Sequence, residues 1–327
     1  IKEWYTPSHV EDLAKSLTSL FVESRGKCFV ILGVRDIVWE KFKHVLSQCD
    51  IFKEERLNFM QDKENISSKD YREILHKQLH ANNAIVDVSE DIQVDDKSKK
   101  ATLGSKNAEL LVAKENSVIG LPELMALSSK NRRILSNVAR FCAEPLSVIK
   151  DDLKQMSESP KISEKHKFVV LTYAMIHNGS FSLQKLNENM LRSIRTIFAV
   201  FSPPDDYFED AVDKLMEEYL EISTDKATHY IQHEIITRIL FEIVAEIKIE
   251  FLIQNCDSRL LLNCIRPATF TFSSMFSKFN KELVVGIEPG HHQALCERFK
   301  QIESGGENEV RKHVIIEDAA FQRLMML

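Results

Sequence analysis

Glycine and proline are both scarce, nine and eight residues among 327, which fits a helix-rich fold rather than a turn-rich one. No run of about 18 apolar residues occurs, so a membrane-spanning helix is excluded. The six cysteines, at positions 28, 49, 142, 256, 264 and 296, show no Cys-x-x-Cys spacing. Cys28 and Cys142 stand in apolar company, as reduced buried thiols do, so a cytosolic setting is expected rather than a disulfide scaffold or a zinc site. Neither sign of charge dominates: 43 Lys and Arg face 49 Asp and Glu, mixed along the chain, for a net −6 and a pI near 6.0. Bulk attraction to nucleic acid or to an anionic membrane therefore has no basis. The first residues carry neither an initiator Met nor a signal-peptide pattern, and the sequence reads as cut from something longer.

Familiar catalytic signatures are missing as well. There is no Gly-x-x-x-x-Gly-Lys-Ser/Thr, Gly-x-Ser-x-Gly, His-Glu-x-x-His or Rossmann glycine fingerprint, and Gly305-Gly306 is followed by Glu307. His291-His292 lie beside Pro289-Gly290 without carboxylate or cysteine partners at ligand spacing, so a polar loop is expected there and no metal site. No self-contained catalytic site is legible.

What is present is most orderly from Phe168 to Phe251. Phe168, Val169, Leu171, Thr172, Met175 and Ile176 recur at helical spacing and stop at His177-Asn178-Gly179, a left-handed helix exit. Ser180 or Ser182 can cap a short segment. Pro203-Pro204 then halts the chain before a helix predicted over Asp205 to Tyr219, with Phe208, Val212, Leu215 and Met216 on one stripe. Tyr219–Ile222 and Thr228–Ile231 alternate like a hairpin around a polar turn at 223–226. A long helix follows, its apolar face formed by Ile236, Ile239, Leu240, Ile243, Val244 and Ile247. Helix, helix, helix, hairpin and helix in that order predict a winged helix. The helix that would enter a DNA groove carries Asp205, Asp206, Glu209, Asp210, Asp213, Glu217 and Glu218 against Lys214, so DNA binding is not expected. A packing and switching module is.

Upstream, Asp12–Val22 reads as an amphipathic helix, and Lys27–Gly33 is a continuous apolar run suited to a strand buried on both faces. Arg35 follows at the carboxyl end of that strand, where sheet chemistry usually sits. It either meets a phosphate ligand or pairs with Asp36 or another acid. A helix is predicted over Tyr71–His80, a flexible connector over 82–104, and helices over Ala108–Lys114, Glu123–Ser129, Asn131–Cys142 and Leu146–Met156. Beyond Phe251 the pattern stays helical at Arg259–Ile265 and His291–Ile302, with breaks at Val284-Val285-Gly286 and Pro289-Gly290 and a last short helix at Ala319–Met326.

Four features thus stand in fixed order: an apolar strand ending in Arg35, Gly120-Leu121-Pro122 opening a helical module, an acidic winged helix, and His233-Glu234 just after the wing. That order resembles the STAND class of P-loop ATPases, relatives of the AAA+ and of apoptotic and immune nucleotide switches, and is most similar to the animal novel STAND NTPase 3 family. Phe29–Arg35 resembles that family's Thr/Ser-Ser-Arg strand, Gly120-Leu121-Pro122 its Gly-Phe-Pro signature, Phe141–Leu146 its aromatic-small-Pro-Leu segment, and Tyr230–Glu234 its Phe-x-His-Asp signature. The chain departs from the pattern in two places, with Gly33-Val34 for the polar pair and Glu234 for the aspartate.

The resemblance implies a mostly α fold with a small α/β part: the C-terminal part of a P-loop ATPase domain at 1–81, the connector, a helical lid module at 105–160, a winged helix at 161–253 and a helical tail at 254–327. It implies ATP or ADP with Mg2+ as cofactor, the phosphate loop and the Mg2+-binding Asp preceding Ile1. Arg35 would sense the terminal phosphate, Gly120 and Pro122 would pack on the adenine, and His233 would reach the diphosphate. Pro122 otherwise simply starts a helix, and His233 otherwise caps one or bonds the wing backbone. The function implied is a cytoplasmic signal-transduction switch that oligomerises on activation; the alternative is a non-catalytic scaffold whose nucleotide site has decayed, as Gly33-Val34 would suggest.

Overall fold

The chain divides into two compact units, residues 1–67 and 68–327. The computed structural model describes Lys15 and residues 68–82, 84–87, 101–112, 121–200, 205–216, 218–224, 226–268, 283–305, 310, 313–317 and 321–323. The second unit is mostly helical with three small sheets.

Its first part packs five helices around a short parallel strand pair. Helix α1 (Ser68–Ala81) has Asp70 in its first turn and His80 in its last, as the helix dipole favours. Strands β1 (Ala84–Asp87) and β2 (Ala101–Gly104) pair in parallel from Ala84↔Ala101 to Asp87↔Gly104. The stretch expected as a flexible connector therefore carries a strand at each end; at four residues each, they are too short for a periodic signal. Helices α2 (Ser105–Val112) and α3 (Leu121–Lys130) follow.

One helix was expected over Asn131–Cys142. The structure has two, α4 (Arg132–Ser136) and α5 (Val138–Ala143), parted at Asn137, whose backbone leaves the helical range at φ −124°, ψ 32°. Asparagine is a poor interior helix residue because its amide competes for backbone groups. Pro145 opens α6 (Pro145–Glu158), where its missing N–H costs nothing. Ile149, Leu153 and Met156 on its inner face are fully buried.

The second part is built around α7 (Ile162–Ile176), buried on every side from His166 onward. It ends where glycine is needed: Asn178 and Gly179 take φ values of 58° and 85°, and Gly179 N–H closes back on the Ala174 carbonyl at 2.8 Å. Strand β3 (Ser180–Phe181) and α8 (Glu188–Ile197) come next. The sequence reading had only a short capped segment here. Asn187, not a serine, caps α8, accepting from the Met190 N–H at 3.1 Å.

Helix α9 (Asp205–Leu215) stops one turn before the predicted end, and strands β4 (Leu220–Ile222) and β5 (His229–Ile231) form the predicted hairpin in the register Leu220↔Ile231. Phe181 pairs with His229, so the sheet order is β3-β5-β4, antiparallel throughout. Edge-to-face rings of Tyr173, Phe181 and Phe208, with centroids 5.9–6.1 Å apart, fill the space between α7, α9 and the sheet.

Helix α10 (Glu234–Asn255) buries Ile236, Ile239, Leu240, Ile243 and Val244 as predicted. Ile247, expected on the same face, stays 49% exposed; the next residue, Lys248, breaks the helical geometry at φ −155°, ψ 70°. Helix α11 (Ser258–Cys264) runs into β6 (Ile265–Pro267). That strand pairs in parallel with β7 (Val285–Ile287), where a break was expected. Helix α12 (His292–Ser304) closes the described part, packed on α10. Cys142, Cys256, Cys264 and Cys296 are free and buried. Burial pushes the Cys142 thiol up to about 11 and the Cys264 thiol up to about 12. No helix among the described residues is long and apolar enough to cross a membrane.

Candidate functional site

Of the four residues singled out from the sequence, His233 is the one whose surroundings are described. It sits between the end of β5 and the start of α10, in extended backbone (φ −152°, ψ 141°), and its Nδ1 accepts from the Ile235 N–H at 3.1 Å. The imidazole is thus the helix cap. A ring nitrogen that accepts carries no proton, so in this neutral tautomer Nε2 bears the N–H and is the donor.

The neighbours fix the ring's position. Gln232 N–H donates to the Tyr219 carbonyl at 3.0 Å, and its side chain donates to the Leu220 carbonyl at 3.2 Å, so the strand leading to His233 is tied to both sides of the hairpin. Glu234, which stands where the resembling family has aspartate, accepts from Arg238 Nε and Nη2 at 3.0 and 2.6 Å. That guanidinium is 8% exposed, so Glu234 serves mainly to neutralise a nearly buried cation one turn along.

Arg35 and Gly120 lie outside the described residues. Pro122 is the second residue of α3, compatible with a helix-starting proline, and its side chain is likewise outside the described part. The structure therefore does not bring the four together or separate them. Among the described residues, no three His, Cys, Asp or Glu side chains cluster as metal ligands do.

A second constellation was not foreseen. Asn131 accepts from the Arg133 and Ile134 N–H groups at 2.9 and 3.1 Å, which fixes the first turn of α4 and presents Arg133. Arg133 Nη1 donates to Asp152 at 3.0 Å, its Nη2 donates to Glu164, and its Nε lies 3.6 Å from Glu218. Lys167, 6% exposed, adds contacts of 2.7 Å to Glu218 and 3.4 Å to Glu164. The fully buried Tyr219 donates its hydroxyl to Asp152 at 2.6 Å. Nearby, Lys130 of α3 pairs with Glu221 on β4.

Two cations thus hold three carboxylates in a half-buried place, and the surplus shows in their acidities. Burial raises Glu164, but the hydrogen bond and charge of Arg133, with Lys167 beside it, outweigh burial and hold this carboxyl below its ordinary value. Burial raises Glu218 and the nearby Glu164 adds to it, so this carboxyl ends above its ordinary value despite Lys167. Its Oε2 is buried without a hydrogen-bond partner. A groove of 370 Å³ lined by Arg132, Lys167, Asp210, Asp213, Lys214 and Glu218 opens beside the cluster. The sequence offered one hint, Glu164 and Lys167 entering an otherwise apolar helix, because buried charges of that kind are almost always paired.

Compared with protein-family models, with curated proteins and with solved structures, the chain matches none.

Proposed function

We propose that the chain is the helical and winged-helix portion of a nucleotide-dependent regulatory switch, in which ATP or ADP, with Mg2+, sets the arrangement of modules. The observation that carries this reading is His233: a side chain held by its own helix through Nδ1, so that Nε2 is a fixed donor beside the positive end of a 22-residue helix. Such a donor fits a phosphate oxygen, and its position is where the resemblance sets the contact with a diphosphate.

The module around it supports the same reading. Helix, strand, two helices, hairpin and long helix, with the sheet order β3-β5-β4, is a winged-helix arrangement. The exposed face of α9 presents Glu209, Asp210 and Asp213 with Lys214, which would repel a phosphate backbone and favours a module that packs within its own protein. Self-association on activation belongs to this reading. The test is thermal unfolding of the intact protein with and without ADP: stabilisation that saturates with ADP is expected, and an unfolding midpoint indifferent to millimolar ADP overturns the proposal.

A further inference from the structure

Helices α1 to α5 pack on one another and on the start of α6, whereas α6 itself is seated on α7 and α10 by Ile149, Leu153 and Met156. From the first group to the module beyond α6, the contacts of α3 and α4 are ionic: Lys130 to Glu221, and Arg133 to Asp152, Glu164 and Glu218. We propose that Arg133 is the latch of a reversible electrostatic clamp that closes α4 and α5 onto the α6–β5 module, and that withdrawing this one guanidinium releases the two helices together.

The arithmetic of charge makes the clamp all-or-none. With Arg133 in place, Asp152, Glu164 and Glu218 face Arg133 and Lys167, three negative against two positive. Without it, three carboxylates share Lys167 alone in a poorly hydrated place, where each repels the others and none can be left half paired. An apolar junction of the same size would be as stable but would not have this dependence on a single side chain. Geometry adds to charge: three acceptors on α6, α7 and the loop before β4 meet the three nitrogen positions of one planar guanidinium, which an ammonium cannot match. The groove lined by Arg132, Lys167 and Glu218 brings water to the cluster, so opening needs no disruption of the core beneath α6. The clamp rests on this geometry alone and not on the nucleotide reading.

The test is hydrogen–deuterium exchange on the whole chain. In Arg133→Met, amides of Arg132–Ser136 and Val138–Ala143 are expected to exchange about tenfold or more faster than in the wild type, while those of Glu234–Asn255 keep their rates. Wild-type exchange in α4 and α5 overturns the clamp. So does equal acceleration in α4, α5 and α10, because the loss is then global. If Arg133→Met does not fold, Arg133→Lys decides: faster exchange confined to α4 and α5 supports the latch, and wild-type rates there overturn it. ADP stabilisation measured on the same samples reports separately on the nucleotide reading.

Discussion

Tyr219→Phe isolates one hydrogen bond of the charged cluster without changing its packing. Tyr219 is 0% exposed and its hydroxyl donates to Asp152 Oδ2 at 2.6 Å. Phenylalanine fills the same volume, so no cavity term arises. What is lost is a hydrogen bond to a charged acceptor, about 1.5–3 kcal/mol. Asp152 keeps its other oxygen on Arg133 and is 14% exposed, so water can replace only part of the loss, and we expect about 2 kcal/mol. The assay is urea unfolding followed by circular dichroism, in which the midpoint falls while the slope is unchanged because the same surface is exposed. The double variant with Asp152→Asn measures the coupling. A Tyr219→Phe protein within about 0.5 kcal/mol of the wild type, the range of an indifferent surface change, would refute the view that the cluster holds the two groups of helices together.

Two other perturbations follow from local structure. His166, His177 and His229 all have depressed affinities for a proton, burial being the largest cause in each; Arg195 and Lys214 add to it at His166, while Asp257 and Asp213 oppose it at the other two. The unfolded chain binds those protons first, so this stability is whole above about pH 6.5 and is lost as pH falls from there toward the lowered folded values; Glu218, raised by burial, opposes the loss but is one group against three. A urea midpoint at pH 5.5 equal to or above that at pH 7.5 would contradict this. At Gly179, alanine would be forced to φ 85° with its Cβ 3.3 Å from Thr237 Oγ1. A left-handed non-glycine residue costs about 1–2 kcal/mol, so Gly179→Ala should lower the midpoint of thermal unfolding by several degrees, and an unchanged midpoint would be the contrary result.

What could be read from the sequence was what chain chemistry fixes locally. The exit at Asn178-Gly179, the proline start of α6 and the alternation at 220–231 are each set by residues within a few positions of one another, and each stands where it was expected. The two-residue β3 and the three- and four-residue strands of the parallel pairs escaped because their partners are remote and their length carries no period. Ile247 misled because its register is right for the helix while the geometry breaks at Lys248. The charged cluster is the clearest case: Arg133 meets carboxylates 19, 31 and 85 positions away, and a polar contact at such separations leaves no pattern in the chain. His233 was legible through its place after the hairpin, though the sequence left open whether it capped the helix.

The central claim is that His233 offers a phosphate its Nε2–H while Nδ1 caps α10, and His233→Asn separates the two roles. Asparagine is among the best helix caps, so the fold should be kept while the imidazole donor is removed. Titration calorimetry of ADP onto the intact protein and its His233→Asn form is therefore the direct measurement. Loss of a hydrogen bond to a charged oxygen, about 1.5–3 kcal/mol, predicts affinity weakened by about tenfold to a hundredfold or more with unfolding unchanged. Equal ADP affinity in the two proteins would contradict the account.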